Sequence, residues 1–174
     1  TFENGTLANV IANVKVEAEG TFDAAGVLVA RKVTIKPEGN LRVAGLVQAR
    51  NTTAGTVTVL GVTVTINAST VMNDKSSQRV TSFDLGDIVV GDYIEARGYA
   101  PAGTAPGSFV AGLLERDNAD NRQFVRGFLP ANPTAQNLAL LGVSIAVDGG
   151  TEYRDAADNA IGNLGLFLTQ ATAA

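Results

Sequence analysis

The stretch Thr56-Val57-Thr58-Val59-Leu60-Gly61-Val62-Thr63-Val64-Thr65-Ile66 alternates branched apolar and hydroxyl side chains around a single Leu-Gly step. On an extended strand successive side chains point to opposite faces, so the valines of each arm share one face and the threonines the other. If Leu60-Gly61 is a two-residue loop, Val59 stands opposite Val62 and Val57 opposite Val64, and every branched apolar side chain falls on one side of the ribbon. Pattern and turn therefore agree on a half-buried β-hairpin.

The same hairpin recurs at Leu138-Ala139-Leu140-Leu141-Gly142-Val143-Ser144-Ile145-Ala146-Val147, 81 residues on from Gly61 to Gly142. Upstream, Val43-Ala44-Gly45-Leu46 returns as Val125-Arg126-Gly127-Phe128, at an offset of 82. A second set of matches runs backwards. Val16-Glu17-Ala18-Glu19-Gly20 corresponds to Ile94-Glu95-Ala96-Arg97-Gly98 at an offset of 78, and each glycine is followed by a loop and another strand. These offsets define one complete unit over 40–116, flanked by the second half of a unit over 1–36 and the first half of another over 122–174. Short polar segments, Pro37-Glu38-Gly39-Asn40 and Asp117-Asn118-Ala119-Asp120-Asn121, separate them.

Each unit reads as a long first strand, a tight hairpin, a helical turn and two further strands. The expected fold is all-β: tandem small OB-like β-barrels, one complete central unit flanked by two half-units. The 19 glycines and many Thr and Val residues oppose long helices, and only a short helical turn near Thr81 to Leu85 is expected.

Composition narrows the function classes. The 174 residues are 45% apolar, enough for a core. Net charge is -4, and the 13 Lys and Arg are scattered, so nucleic acid and anionic membrane are not expected partners. No apolar run approaches the roughly 20 residues that span a bilayer. The only Met is Met72, and the chain reads as a processed or excised segment.

Histidine and cysteine are both absent, which removes Ser-His-Asp and Cys-His catalysis and imidazole or thiolate metal sites. A carboxylate pair remains the one catalytic arrangement to weigh, with Glu17 and Glu95 as its members. Their equivalent strand positions between apolar neighbours point instead to outward, solvated carboxylates. The oxygen-rich runs Asp117 to Asn121 and Asp155 to Asn159 lack EF-hand spacing and read as turns. No enzyme activity, cofactor or metal is expected. Sequons at Asn4, Asn51 and Asn67 would accept attached glycans on an exposed extracellular chain.

The run Val14-Lys15-Val16-Glu17-Ala18-Glu19-Gly20-Thr21-Phe22-Asp23, followed by Gly26-Val27-Leu28-Val29-Ala30-Arg31-Lys32-Val33, resembles the closing half of the secreted bacterial domains grouped as domain-of-unknown-function family 5666. Asp84-Leu85 and Val90-Gly91-Asp92-Tyr93-Ile94-Glu95-Ala96-Arg97-Gly98 resemble the same stretch in a second copy. The likeness departs at Asn13, where Gly91 stands in the other copy, and in the degenerate C-terminal copy. The resemblance implies tandem small β-barrels, exported and often surface-associated, with no established catalytic residues.

A half-unit alone would expose strand edges and an apolar face, a state that soluble proteins avoid. The expected function is therefore that of a pilus-like structural subunit. It would polymerise head to tail into an extracellular filament by β-strand complementation between half-units of neighbouring copies. The expected assembly residues are Val10, Val14, Val16, Val27, Val29, Val33 and Ile35 on the N-terminal half, with Leu138, Leu140, Val143 and Ile145 on the C-terminal hairpin. The partner is the chain itself, and the location extracellular or at the cell surface. The alternative is a monomeric, secreted or surface-attached two-barrel binding domain, its half-units paired within one chain.

Overall fold

The computed structural model describes residues 1–3, 7, 15–36, 39–101 and 103–172. Three strands form the N-terminal sheet: β1 (Phe2–Glu3), β2 (Lys15–Phe22) and β3 (Leu28–Lys36). Strand β3 lies in the middle, antiparallel to β2 and parallel to β1.

The central unit contains β4 (Leu41–Asn51), β5 (Thr56–Val59), β6 (Val62–Thr65), β7 (Val71–Asp74), β8 (Tyr93–Tyr99) and β9 (Ser108–Asp117). Strand β4 is long enough for two partners. Leu41 to Leu46 pair with β8, whereas Val47 to Asn51 pair with β5, with a register shift between Val47 and Ala49. Such irregularities bend a strand and increase its twist, which lets a single strand turn a barrel corner. The hairpin β5–β6 pairs Val59 with Val62 and Val57 with Val64, as the alternation requires. Its loop residues Leu60 and Gly61 have φ of 53° and 77°, the doubly positive backbone of a primed two-residue turn. Strand β6 then runs parallel to the start of β9, β9 antiparallel to β8, and β8 back to β4. The ring β4-β5-β6-β9-β8 closes on itself, an OB-like five-stranded barrel. Strand β7, a sixth strand that the repeat pattern did not signal, runs parallel to the second half of β9.

Closure buries the alternating apolar positions completely. Val43, Val59, Val62, Val64, Ile88, Ile94, Phe109 and Leu114 all have 0% exposure. The crossover from β7 to β8 carries a short 3-10 turn at Leu85–Asp87 rather than at Thr81 to Leu85. Asp84 and Asp87 set its position by capping each other's backbone amides.

Beyond the barrel follow β10 (Phe124–Arg126), β11 (Ala139–Leu140), β12 (Val143–Ser144), β13 (Tyr153–Arg154), β14 (Ala160–Ile161) and the helix α1 (Leu164–Thr172). The helix corrects the expectation of a single helical turn. Asn163 accepts a hydrogen bond from the Leu166 amide at its start, and Phe167 packs 5.7 Å from Tyr153. Leu164, Phe167 and Leu168 at i, i+3 and i+4 supply a stripe too brief to stand out as periodicity.

Candidate functional site

Several pairings of the central unit recur in the flanking segments. Strands β2 and β3 correspond to β8 and β9, with a register shift at the same place, between Glu19 and Gly20 in one pair and Arg97 and Gly98 in the other. At both sites a Cβ on the glycine would collide with the backbone of the opposite strand, Val29 for Gly20 and Val110 for Gly98. Strand β1 meets β3 as β7 meets β9. The hairpin β11–β12 pairs Leu140 with Val143 and turns on Leu141 and Gly142, whose φ values of 52° and 77° nearly duplicate those of Leu60 and Gly61.

What differs is which edges are joined. In the central ring, first strand β4 pairs with β8, and β6 with the start of β9. Among the described residues, β2 pairs only with β3, β12 only with β11, and the start of β3 only with β2. Strand β10, the counterpart of β4, pairs only with β4 itself. The open edges of the half-units thus include the two seams that close the complete unit, and among the described residues β11 also lacks the counterpart of the β4–β5 pairing.

The face that becomes core in the barrel is uncovered in the N-terminal sheet. Val16 and Ala18 correspond to Ile94 and Ala96, and Leu28 and Val33 correspond by register to Phe109 and Leu114. Val16 is 39% exposed and Leu28 37%, whereas Ile94 and Phe109 are fully buried. Ala18 is exposed and Val33 half-buried. Leu28, not singled out from sequence, shares the face of Val16. Val29 pairs with Thr21 and turns to the opposite face, and Val27 precedes the strand. Ile35 stands opposite Val16 in the register, while Val10 and Val14 lie outside the described residues. Register alone identifies Leu28, and register depends on where the β2–β3 turn falls.

On the C-terminal side Leu138 is buried, and Leu140, Val143 and Ile145 are half-buried. Leu141 and Val143 pack against the core of the central barrel. The pairing of β10 with β4 has approximate two-fold symmetry: Val125 stands opposite Val43, its own equivalent, with Phe124 opposite Ala44 and Arg126 opposite Arg42. Arg42 also lies 4.3 Å from the centre of the Phe124 ring. Between the β8–β9 loop and the second hairpin lies an open cleft of about 490 Å³, bordered by Tyr99, Pro106, Phe128 and Leu141.

The carboxylates fall into structural arrangements. Glu95 faces outward but is not freely solvated, because Arg42 and Arg97 both bond it. Burial raises its pKa, but hydrogen bonds from Arg42 and Arg97 outweigh burial and hold the carboxyl below its ordinary value. That direction is opposite to what a general acid requires. Glu17 is exposed on its own sheet. A buried charge pair was not apparent from sequence: Arg116 and Asp74, 3% and 0% exposed in their side chains, meet at 2.6 Å. Asp74 also accepts from the Ser76 and Val80 amides, and Arg116 reaches the Asp87 carbonyl and stacks over Phe83. The Arg116 bond holds Asp74 far below the usual carboxylate range. This clasp pins the β7–β8 crossover to β9.

Asp155 accepts hydrogen bonds from the Ala157 and Asn159 amides, and Asp120 pairs with Arg122, so both oxygen-rich loops spend carboxylates on their own turns. Asn51 and Asn67 are exposed, each with its side-chain oxygen accepting from a nearby amide, while Asn4 lies outside the described residues.

Neither curated proteins nor solved structures gave a match. The family model described as "Domain of unknown function (DUF5666)" matches residues 1–34 and 44–111. The first segment takes in the N-terminal sheet almost to its end, and the second takes in most of the central barrel. The match spans more than half of the sequence and divides where the N-terminal half-unit gives way to the complete one, and the chain belongs to this family.

Proposed function

We propose that this chain is a non-enzymatic structural subunit of an extracellular or cell-surface filament. Its N-terminal sheet completes the unfinished C-terminal unit of the next copy. The observation that carries this reading is the correspondence between open and closed seams: among the described residues, the unpaired edges of β2, β10, β12 and the start of β3 have counterparts that pair in the complete barrel. Because the joining surfaces differ, such contacts propagate as an open head-to-tail series. Strand addition contributes main-chain hydrogen bonds, and burial of Val16, Phe22, Leu28, Val33 and their counterparts contributes on the order of 10 kcal/mol. Association costs about 4–15 kcal/mol, so the two are comparable and a stable joint is feasible. The depressed pKa of Glu95 and the absence of His and Cys support a role without catalysis. Exposed Asn51 and Asn67 fit a chain that carries glycans. The alternative, half-units paired within one chain as a monomeric two-barrel binding domain, predicts a different size.

Negative-stain microscopy and size-exclusion light scattering of the purified chain test this. Threads of the full chain, lost when residues 1–36 are removed, are the expected result. Monodisperse full-length chains at high concentration would remove the filament reading in favour of the closed monomer.

A further inference from the structure

The unpaired edges specify more than that copies join. We infer that the joint has one register, in which β2 of one copy lies antiparallel to the open edge of β10 of its neighbour, with Ala18 opposite Val125 and Glu17 opposite Arg126. This rests on the filament reading and fixes its geometry.

The register follows from the complete unit. There Ala96 stands opposite Val43 and Glu95 opposite Ala44. Ala18 and Glu17 are the counterparts of Ala96 and Glu95, and Val125 and Arg126 those of Val43 and Ala44. Strand β4 gives one edge to β8 and uses the other for β10. The approximate two-fold between β4 and β10 then leaves open on β10 the edge that β4 offers to β8. At the second seam, Val64 opposite Phe109 in the barrel becomes Ile145 opposite Leu28 of the neighbouring copy.

Charge favours the same alignment. In the complete unit one carboxylate, Glu95, is held by Arg42 from the adjacent strand and Arg97 from its own. In the joint the signs are exchanged: Arg126 stands directly opposite Glu17 and diagonally from Glu19, within reach of a long side chain. Slipping the strands by one residue would turn Val16 and Ala18 away from the closing core and place Arg126 beside Ala18.

The chain has no cysteine, so introduced thiols report a contact without background. Residues directly opposite in antiparallel strands have Cα atoms about 4.5–5.5 Å apart, within disulfide range. Full-length Val125→Cys and Ala18→Cys chains are mixed, oxidised and run on a non-reducing gel. A linked pair of chains is expected from this mixture, and none from Val125→Cys mixed with Glu17→Cys, whose side chain points to the other face. Threads without the matched link overturn the register while strand exchange stands. Unlinked monomers in every mixture overturn both. A link formed by Val125→Cys alone would show two β10 strands meeting each other and also overturn the register. Arg126→Glu gives an independent measure on unlinked chains: elongation followed by light scattering should slow, and mixing with Glu17→Arg chains should restore it. Equal slowing with and without that partner counts against the pairing.

Discussion

The hairpins at Val57 to Val64 and Leu138 to Ile145 have the same alternation, the same Leu-Gly turn and the same cross-strand pairing, yet they lie in different environments. In the first, the four branched residues are at most 1% exposed. In the second, Leu138 is buried and Leu140, Val143 and Ile145 are only half-buried. Local sequence determines how a ribbon folds upon itself, but a barrel core needs two further strands, which pair with the sheet of the first hairpin and, among the described residues, not with the second. The N-terminal sheet supplies the converse case: it has the last two strands and an uncovered face.

The largest test of this contrast is a carboxylate introduced on both hairpins. Val59→Asp would place an unpaired charge in the closed core and should lower stability by more than about 4 kcal/mol, enough to unfold a marginal barrel. Leu140→Asp should cost the central barrel only about 1 kcal/mol, and Thr58→Asp less than about 0.5 kcal/mol. Urea denaturation of the three variants measures this. Equal losses for Val59→Asp and Leu140→Asp would mean that the second hairpin is as enclosed as the first.

Next in size is the buried clasp. Arg116→Ala leaves the Asp74 carboxylate without its partner and should cost about 3–5 kcal/mol. The equivalent N-terminal position, Ile35, carries no such charge. Substituting it should leave the thermal transition of the central barrel in place.

The two equivalent glycines sharpen the comparison further. Gly98→Ala pushes a methyl group into the Val110 backbone and should cost the barrel about 1–3 kcal/mol. Gly20→Ala makes the same collision with Val29, outside the barrel, and should leave the barrel transition unchanged while disturbing the N-terminal sheet. Hydrogen exchange separates the two effects.

The smallest expected effect is pH dependence. The native carboxyl of Asp74 has a pKa below its unfolded value of about 3.9, so its stabilisation is complete above that pH and is lost as pH falls below it. Barrel stability should decline from about pH 4 downwards, and Asp74→Asn should flatten the decline. The N-terminal sheet, which lacks this group, should not share the Asp74-dependent part of the loss.

Alternation was sufficient to read the β5–β6 hairpin, its register and the OB-like unit, because strand period and turn type are properties of a few neighbouring residues. The correspondence of Glu17 with Glu95 was legible for the same reason, and so was the outward direction of both. That Arg42 joins the nearby Arg97 in clasping Glu95 depended on strands brought together from 53 residues apart. Nothing local in the sequence singles out Arg116 and Asp74, which meet because β7 lies beside β9. The pairing of β10 with β4, and Leu28 rather than Val29 on the uncovered face, were likewise decided by tertiary register. The helix Leu164–Thr172 leaves little trace in the sequence because nine residues carry too few apolar repeats to rise above a background of alternating strands. Sequence by itself determined which faces are apolar and where the chain turns. Only the tertiary structure decided which faces are closed and which edges stay open, because closure joins strands far apart in the chain and no local pattern encodes the contact between them.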